Sequence, residues 1–218
     1  MKDAPADNDE AVPAAPGNMC TAAIFNPCTT TFLQNPGLFI TKLPPSPITF
    51  LTMVLQVEGQ NAQQPSNFIS FCRAAAQYKT CLGNQFMSCM SVAGFASATK
   101  MPVPASIAYI TTFGTLGFQC GAGMNMIAQN WPCFVSTSTS PPVQACLKTF
   151  NATGPLQTCS EFAPSEAAAN LMNCQATQFN QVCGKWMAWN VCQGIAQGFQ
   201  MGWPACSPLM SKCKFTYS

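Results

Sequence analysis

A chain of 218 residues is long enough to bury a substantial core, either as one domain or as two small domains fused together. Only 7% of its residues are Asp, Glu, Lys or Arg, against about 25% in ordinary soluble domains. Histidine is absent and the few cations form no cluster, so the composition argues against a nucleic-acid-binding protein and against most enzyme classes.

The fourteen cysteines indicate the class of protein. The two closest in sequence are Cys206 and Cys213, so the chain contains no Cys-x-x-Cys pair. Zinc sites, thioredoxin-type redox motifs and most iron–sulfur clusters need such near neighbours, which leaves disulfide bonds. Because disulfides persist in oxidising compartments, we expect a secreted, extracellular protein without a metal or other cofactor. The cysteines predicted to form disulfides are Cys20, Cys28, Cys72, Cys81, Cys89, Cys120, Cys133, Cys146, Cys159, Cys174, Cys183, Cys192, Cys206 and Cys213.

The N-terminal part of the chain, up to Pro65, is predicted to hold little regular structure. Residues 1–17 are rich in acids, alanine and proline, which predicts a disordered tail. The first five residues lack the apolar stretch of a secretory signal, so we interpret the chain as a mature form with a starting Met. Residues 18–65 are predicted to be loop-rich, since Asn35–Pro47 contains several turn-forming prolines.

One apolar element interrupts this segment. The run Ile48–Val57 is the longest apolar stretch of the chain, and Thr and Gln residues interrupt it. It is about half the roughly 20 residues that a transmembrane helix needs. We therefore expect a core element there and no transmembrane segment.

Helical periodicity begins at Ser66. Apolar residues then recur at three- and four-residue intervals, as do those that follow Pro164-Ser165-Glu166. Strand-like alternation is weak, so the sequence predicts an all-α fold, a helical bundle held by disulfides. The apolar positions are Phe68, Phe71, Cys72, Ala75 and Ala76 in the first helix, and Leu171, Cys174, Phe179, Val182 and Trp186 in the second; further helices are predicted at Pro104–Gln119, Pro142–Phe150 and Lys185–Gln200.

Two stretches of the chain resemble each other, which suggests a duplicated helical unit. Residues 120–133 and 192–206 each begin and end on cysteine and place Trp-Pro just before the end. The series Cys72, Cys81, Cys89 also resembles Cys174, Cys183, Cys192. We therefore predict one helical unit over residues 66–150 and a related one over 151–218, packed together. The alternative is a chance echo in a chain rich in Met, Gly, Gln and Cys.

The cysteine spacing allows two arrangements of these helices. Cysteines nine residues apart point to opposite sides of one helix, so each helix could be bridged on two flanks. Gly83 and Gly184 could instead end each helix and produce a hairpin. Trp131-Pro132 and Trp203-Pro204 are then predicted to stop the last helix of each unit, because proline disfavours helix in the residue before it.

The cysteine rhythm from Cys72 to Cys213, about two thirds of the chain, resembles a known family. The run Phe118-Gln-Cys120, Trp131-Pro-Cys133-Phe, Val143-Gln-Ala-Cys146-Leu, Phe150-Asn151, Cys159, Asn173-Cys174, Cys183 and a proline-preceded Cys206 is similar to the insect twenty-seven-kilodalton haemolymph glycoprotein family, and a related rhythm occurs in nematode secreted proteins of the chondroitin proteoglycan 4 type. The resemblance implies a secreted, helical, disulfide-bonded extracellular protein. Unlike the insect proteins, this chain is poor in charged residues, and it has no Ser-Gly dipeptide for glycosaminoglycan attachment.

Candidate modification and binding residues are few. Asn151-Ala-Thr153 forms a sequon, so Asn151 is a candidate for N-glycosylation. Trp186, Met187 and Trp189, with Met124 and Met126, could line an apolar ligand surface, because methionine and tryptophan form adaptable walls. The alternative, which we favour, makes the methionines helix packing, Trp186 core and Trp189 half exposed.

An enzyme active site cannot be assembled from the titratable groups. Beyond the first ten residues the only acids are Glu58, Glu161 and Glu166. They support neither a catalytic triad nor a glycosidase carboxylate pair, and Glu166 is better placed to stabilise a helix N-terminus.

The sequence thus favours a non-enzymatic, secreted binding or carrier protein, whose partner is a hydrophobic small molecule or an extracellular protein. The alternative is a structural or surface-active extracellular protein that self-associates or acts at an interface, since low charge leaves uncharged surface exposed.

Overall fold

The computed structural model describes residues 19–35, 43, 63–153, 156, 158–163, 166–210 and 213. Of these residues, 82% are helical and none forms a β-strand, which confirms the all-α prediction. The predicted tail of residues 1–17 and the apolar element Ile48–Val57 lie outside the described residues. The described helices are α1 (Ala22–Leu33), α2 (Ser66–Leu82), α3 (Phe86–Cys89), α4 (Val92–Thr99), α5 (Val103–Cys120), α6 (Met124–Gln129), α7 (Trp131–Ser138), α8 (Pro141–Ala152), α9 (Ala167–Cys183) and α10 (Lys185–Gly202).

The two glycines predicted to end helices do so. Gly83 follows the last residue of α2 and Gly184 follows the last residue of α9, with φ of +54° and +83°. Residues with a Cβ rarely adopt such values, so a helix that reaches these positions stops there. Gly184 is followed at once by α10, which packs against α9 as the second arm of a hairpin.

The described part of the predicted loop-rich segment, residues 19–35, contains a helix that the sequence analysis missed. Helix α1 continues through Pro27, which removes one helical hydrogen bond and whose ring crowds the preceding turn. The helix forms because its inner face is mainly apolar and well packed, and because one bridge within the helix and one just before it hold it in place. The buried residues of that face are Phe25, Cys28, Thr29, Phe32 and Leu33.

The interpretation of Trp-Pro as a stop signal is wrong for the first copy. Trp131 is the first residue of α7, and Pro132 occupies the first turn, where the missing N–H has no helical partner to lose. The second copy does follow the end of α10 at Gly202, and Pro204 opens a short 3₁₀ helix, Pro204–Leu209. Trp-Pro in this chain therefore begins a helix.

All fourteen cysteines lie in the described residues and form seven disulfides. Three bridges join cysteines within residues 20–120, which we call the N-terminal bridge group. Four join cysteines within residues 133–213, the C-terminal bridge group. None joins the two groups. The pairs are Cys20–Cys89, Cys28–Cys81 and Cys72–Cys120, and then Cys133–Cys183, Cys146–Cys174, Cys159–Cys206 and Cys192–Cys213.

The pairing places cysteines nine residues apart on two flanks of one helix, as predicted. In α2, Cys81 is bonded to α1 and Cys72 to α5; in α9, Cys183 is bonded to α7 and Cys174 to α8. Two bridges of the C-terminal bridge group thus cross the predicted boundary between residues 150 and 151.

The existence of two related units stays a prediction. The disulfides suggest an alignment of the two halves that differs from the alignment suggested by the sequence resemblance. The sequence resemblance pairs Cys72 with Cys174, but Cys72 is bonded to a later cysteine and Cys174 to an earlier one. If the Cys192–Cys213 bridge is set aside, both groups instead join their cysteines in the order first to fifth, second to fourth and third to sixth.

Helices α5 and α10 form the main contact between the two bridge groups. Gly194, Gly198 and Gly202 recur every four residues on α10, which places them on one face. A Cβ on Gly198 would overlap the Thr115 hydroxyl and lie 2.5 Å from the Thr111 carbonyl oxygen of α5. The backbones therefore approach closely because Gly198 has no side chain.

An aromatic contact also joins a helix of the N-terminal bridge group to a helix of the C-terminal bridge group. Trp131 of α7 is fully buried, and its ring stacks on Phe68 of α2 at a centroid distance of 5.4 Å. The ring centroid of Trp131 is also 6.0 Å from that of Phe134, and the Phe134 ring in turn packs on Phe179 of α9. The hydrophobic core therefore runs continuously between two groups that no disulfide joins.

Candidate functional site

The five residues proposed to line an apolar ligand surface do not form one open surface. Met187 is buried, while Met124 and Met126 are partly buried against the core on the short helix α6. Trp189 is half buried with its ring edge-on to Phe118 at 6.3 Å, as the packing alternative predicts. Trp186 is 50% exposed, so its assignment to the core is wrong.

The register of the hairpin explains the error at Trp186. The apolar spacing Phe179, Val182, Trp186 assumed a helix that continues past residue 183. The helix stops at Gly184, so Trp186 belongs to α10, whose inner face begins at Met187. Val182, on the last turn of α9, is likewise 65% exposed.

An open groove lies elsewhere, between α1 and the connection from α4 to α5. Its volume is about 250 Å³. Its apolar lining comes from Phe25 and Leu33 of α1, from Leu43 and from Met101. The remaining lining residues carry amides or hydroxyls and are Asn26, Thr29, Thr30 and Thr99.

A ring contact, a hydrogen bond and a disulfide hold in place the wall of the groove that α1 forms. The Phe25 ring meets Phe95 of α4 edge-on at 5.5 Å. The hydroxyls of Thr29 and Tyr78 are 3.0 Å apart and share a hydrogen bond, and burial raises the pKa of Tyr78 to about 12. The Cys28–Cys81 bridge ties the same turn of α1 to α2. The wall formed by α1 is therefore rigid.

Lys100 lies in sequence between the lining residues Thr99 and Met101 and does not itself line the groove. It ends α4 in the left-handed conformation with φ of 61°, and its N–H donates to the Ala96 carbonyl oxygen at 2.9 Å. A residue other than glycine rarely adopts this conformation, and such positions are enriched at binding sites. The exposed Lys100 places a positive charge in the loop that forms one wall.

The two described carboxylates each lie at the start of a helical segment. Glu161 accepts a hydrogen bond from the Thr158 N–H at 2.6 Å in a capping box, which fixes it in a structural role. Glu166 occupies the N-cap position of α9, where its negative charge favours the helix. Among the described residues, no group of three or more Cys, Asp or Glu side chains could hold a metal ion.

The sequon residue Asn151 is exposed in the last turn of α8. The Thr153 hydroxyl donates to the Phe150 carbonyl oxygen at 2.7 Å. Exposure at a helix end suits an attached glycan, because a glycan is bulky and needs a surface position.

The sequence analysis missed the groove and one buried polar contact. The groove depends on Leu43, Thr99 and Met101, which are far from α1 in sequence and share no motif with it. Asn190 is buried in α10 and its side-chain N–H donates to the Gly123 carbonyl oxygen at 3.3 Å, a contact that joins α10 to the start of α6. Neither arises from a periodic pattern.

Fold and site together define a disulfide-rich all-α protein with an open, partly apolar groove, and none of the helices in the described ranges has the length and apolarity to span a bilayer. Comparison of the chain with protein-family models, with curated proteins and with solved structures found no match. The resemblance to the insect haemolymph glycoproteins therefore stays a prediction.

Proposed function

We propose that the chain is a secreted, non-enzymatic binding protein that holds the apolar part of a ligand in the groove beside α1. The groove itself is the main support: apolar and hydroxyl-bearing side chains converge on one open space of about 250 Å³. Small-molecule sites commonly combine an apolar lining with a few polar groups of this kind.

The size of the groove restricts the ligand. Pockets that enclose a small molecule measure about 300 to 1,000 Å³, so this groove is too small to surround a large one. It suits one acyl segment or one apolar side chain of a protein partner. The exposed Lys100, next to two lining residues in sequence, favours a ligand whose polar end carries a negative charge.

Binding of an anionic, apolar fluorescent probe tests the proposal. Cis-parinaric acid has both properties and reports binding by a rise in fluorescence. Thr30→Trp fills the groove from an exposed position of α1, and we expect it to weaken probe binding at least about tenfold. Thr31→Trp is the matched control, because residue 31 is exposed and does not line the groove. Equal probe affinity for the wild-type chain and both variants would contradict the proposal.

The secreted location is part of the same proposal. Seven disulfides and no free cysteine suit an oxidising compartment, where each bridge contributes on the order of 2–4 kcal/mol. We also propose that Asn151 carries a glycan. Both proposals agree with the predicted family resemblance.

Exposed apolar side chains favour a second candidate function, self-association as a structural protein. The described surface exposes at least a third of each of seven large apolar residues: Met19, Ile24, Met87, Val103, Val182, Trp186 and Leu209. Sedimentation of the ligand-free chain over a range of concentrations tests this candidate. Concentration-dependent oligomers support it, and a monomer at every concentration contradicts it.

A further inference from the structure

Two buried hydroxyl groups meet where α1 packs against α2. Thr29 lines the groove and is 7% exposed, whereas Tyr78 is 5% exposed and is not a lining residue. Their oxygens are 3.0 Å apart, and either group can be the donor. Each hydroxyl carries one hydrogen, so this hydrogen bond uses only one of the two. Within the described residues neither hydroxyl takes part in a second hydrogen bond, which leaves one O–H for another acceptor.

The Thr29 hydroxyl bonds differently from that of many helical threonines. Such a hydroxyl often donates to the carbonyl oxygen four residues earlier, which uses its only hydrogen. Thr31 on the same helix donates in this way to the Pro27 carbonyl oxygen at 3.0 Å. Thr99, which also lines the groove, donates to the Phe95 carbonyl oxygen at 2.7 Å. The hydrogen of Thr99 is therefore already in use, whereas the Thr29 hydroxyl is bonded to another hydroxyl.

Tyr78 is held in a fixed position and stays uncharged. Its ring stacks on Phe32 at a centroid distance of 4.9 Å, and the Cys28–Cys81 bridge joins the neighbouring turns of the two helices. Burial raises the pKa of Tyr78 to about 12, so the hydroxyl keeps its proton near neutral pH. When the Tyr78 O–H donates to the Thr29 oxygen, the Thr29 O–H can donate to an acceptor in the groove.

We propose that the Thr29 hydroxyl donates to a carboxylate oxygen of an apolar ligand in the groove, with Tyr78 as the positioning residue that orients it. This inference rests on the proposed function of the groove. A hydroxyl that accepts one hydrogen bond donates a stronger one, because bonds in a chain polarise one another. A charged acceptor strengthens the bond further.

The same hydroxyl discriminates between classes of apolar ligand. A hydrocarbon that displaces water from the groove leaves the Thr29 O–H without an acceptor, which counts against its binding. An ammonium group carries only donors and cannot satisfy this hydroxyl. A carboxylate satisfies it, and the exposed Lys100 favours the same negative charge. The expected ligand class is therefore an apolar carboxylic acid.

Fluorescence titration with two probes that share one apolar body tests the proposal on the full, oxidised chain. Diphenylhexatriene has no hydrogen-bonding group, and diphenylhexatriene propionic acid adds a carboxylate. We expect the wild-type chain to bind the acid more tightly. Thr29→Val removes the hydroxyl with little change of volume and should weaken binding of the acid about tenfold. Binding of the hydrocarbon should change by less than about twofold.

Tyr78→Phe tests the positioning role. It should weaken binding of the acid about threefold, because the Thr29 hydroxyl can then turn to a carbonyl oxygen of its own helix. The double variant Thr29→Val/Tyr78→Phe should bind the acid as Thr29→Val does, since Tyr78 acts through Thr29. Removal of both hydroxyls leaves neither one unpaired, so the double variant should fold even where Thr29→Val alone is destabilised.

Thr31→Val is the matched control, because Thr31 lies on the same helix, is exposed and does not line the groove. Its affinity for both probes should stay within about twofold of wild type. Far-ultraviolet circular dichroism and a thiol assay verify that each variant is folded and fully bridged.

Three results would overturn the inference. One is a wild-type chain without preference for the acid, and another is a Thr29→Val variant that affects both probes equally or neither. The third is a double variant whose loss is the sum of the single losses, since Tyr78 would then act independently. If the groove is not the site at all, Thr30→Trp leaves the binding of both probes unchanged, so failure of the proposed function is distinguishable.

Discussion

Substitution of Gly198 by alanine tests the close approach of α5 and α10. The new Cβ would overlap the Thr115 hydroxyl and lie 2.5 Å from the Thr111 carbonyl oxygen. The Thr111 carbonyl oxygen is a backbone atom, so a change of side-chain rotamer cannot relieve its clash with the new Cβ. The two helices must therefore move apart. Overpacking of this kind costs about 1–3 kcal/mol, against a gain of about 1 kcal/mol in helix propensity. Because the obstacle is rigid, we place the overpacking cost at the upper end of that range and expect a net loss of about 2 kcal/mol.

Gly194→Ala is the matched control on the same face of α10. The atoms nearest to its Cβ are the Phe118 ring at 3.5 Å and the Thr115 methyl at 3.7 Å, which are ordinary contacts. Only the propensity gain remains, so this variant should be more stable than wild type by about 0.5–1 kcal/mol. The two alanine variants are thus expected to differ by about 2.5–3 kcal/mol.

Urea unfolding with the disulfides intact, followed by far-ultraviolet circular dichroism, measures both changes. The slope of the free energy of unfolding against urea should be the same in all three proteins, so that midpoints report stability. The reasoning would be refuted by a Gly198→Ala chain as stable as the Gly194→Ala chain, because the two backbones then do not touch at residue 198.

Three further predictions concern protonation, bridging and glycosylation. Burial raises the pKa values of Tyr78 and Tyr109 from 10.0 to about 12, so the folded state keeps protons that the unfolded state loses. The free energy of unfolding should be unaffected by these groups below pH 10.0 and should fall as the pH rises to about 12; a flat profile in urea titrations contradicts this. Replacing Cys192 and Cys213 by alanine opens a loop with a sequence separation of 21 and should cost about 3 kcal/mol in the same urea assay. Expression in a glycosylating cell should give a glycosidase-sensitive band that Asn151→Gln abolishes, and a band of unchanged mobility would show an empty sequon.

The helices that could be predicted from the sequence are those with strong local signals. Serine before an apolar period marked the start of α2, and glycine after a cysteine marked the ends of α2 and α9. These features are local, because apolar spacing and a glycine at positive φ involve a few neighbouring residues; Ser66 itself is the first residue of α2 and does not cap it.

Helix α1 could not be predicted in the same way. Pro27 argues against a helix, and only its tertiary contacts outweigh that local preference. Phe32 stacks on Tyr78 at 4.9 Å, and Cys28 is bonded to Cys81, so residues about fifty positions away stabilise the helix. No local pattern contains that information.

The sites were harder to predict than the fold. Trp186 was assigned to the core because a periodic pattern was continued across Gly184, where the backbone leaves the helix. The groove needs Leu43 and Met101 beside α1, a juxtaposition that only the folded chain creates. Cysteine identity predicted bridging, but many pairings satisfy the same spacing, and the sequence could not choose among them.

A disulfide map of the unreduced chain tests the central claim most directly. That claim is that sulfur–sulfur bonds fix two separate helical groups, which then pack through the contact of α5 with α10. Proteolysis of unreduced protein and mass spectrometry should find three bridges confined to residues 20–120, four confined to residues 133–213, and no free thiol. A bridge that joins a cysteine up to Cys120 to one from Cys133 onward, or several unpaired thiols, would contradict the account.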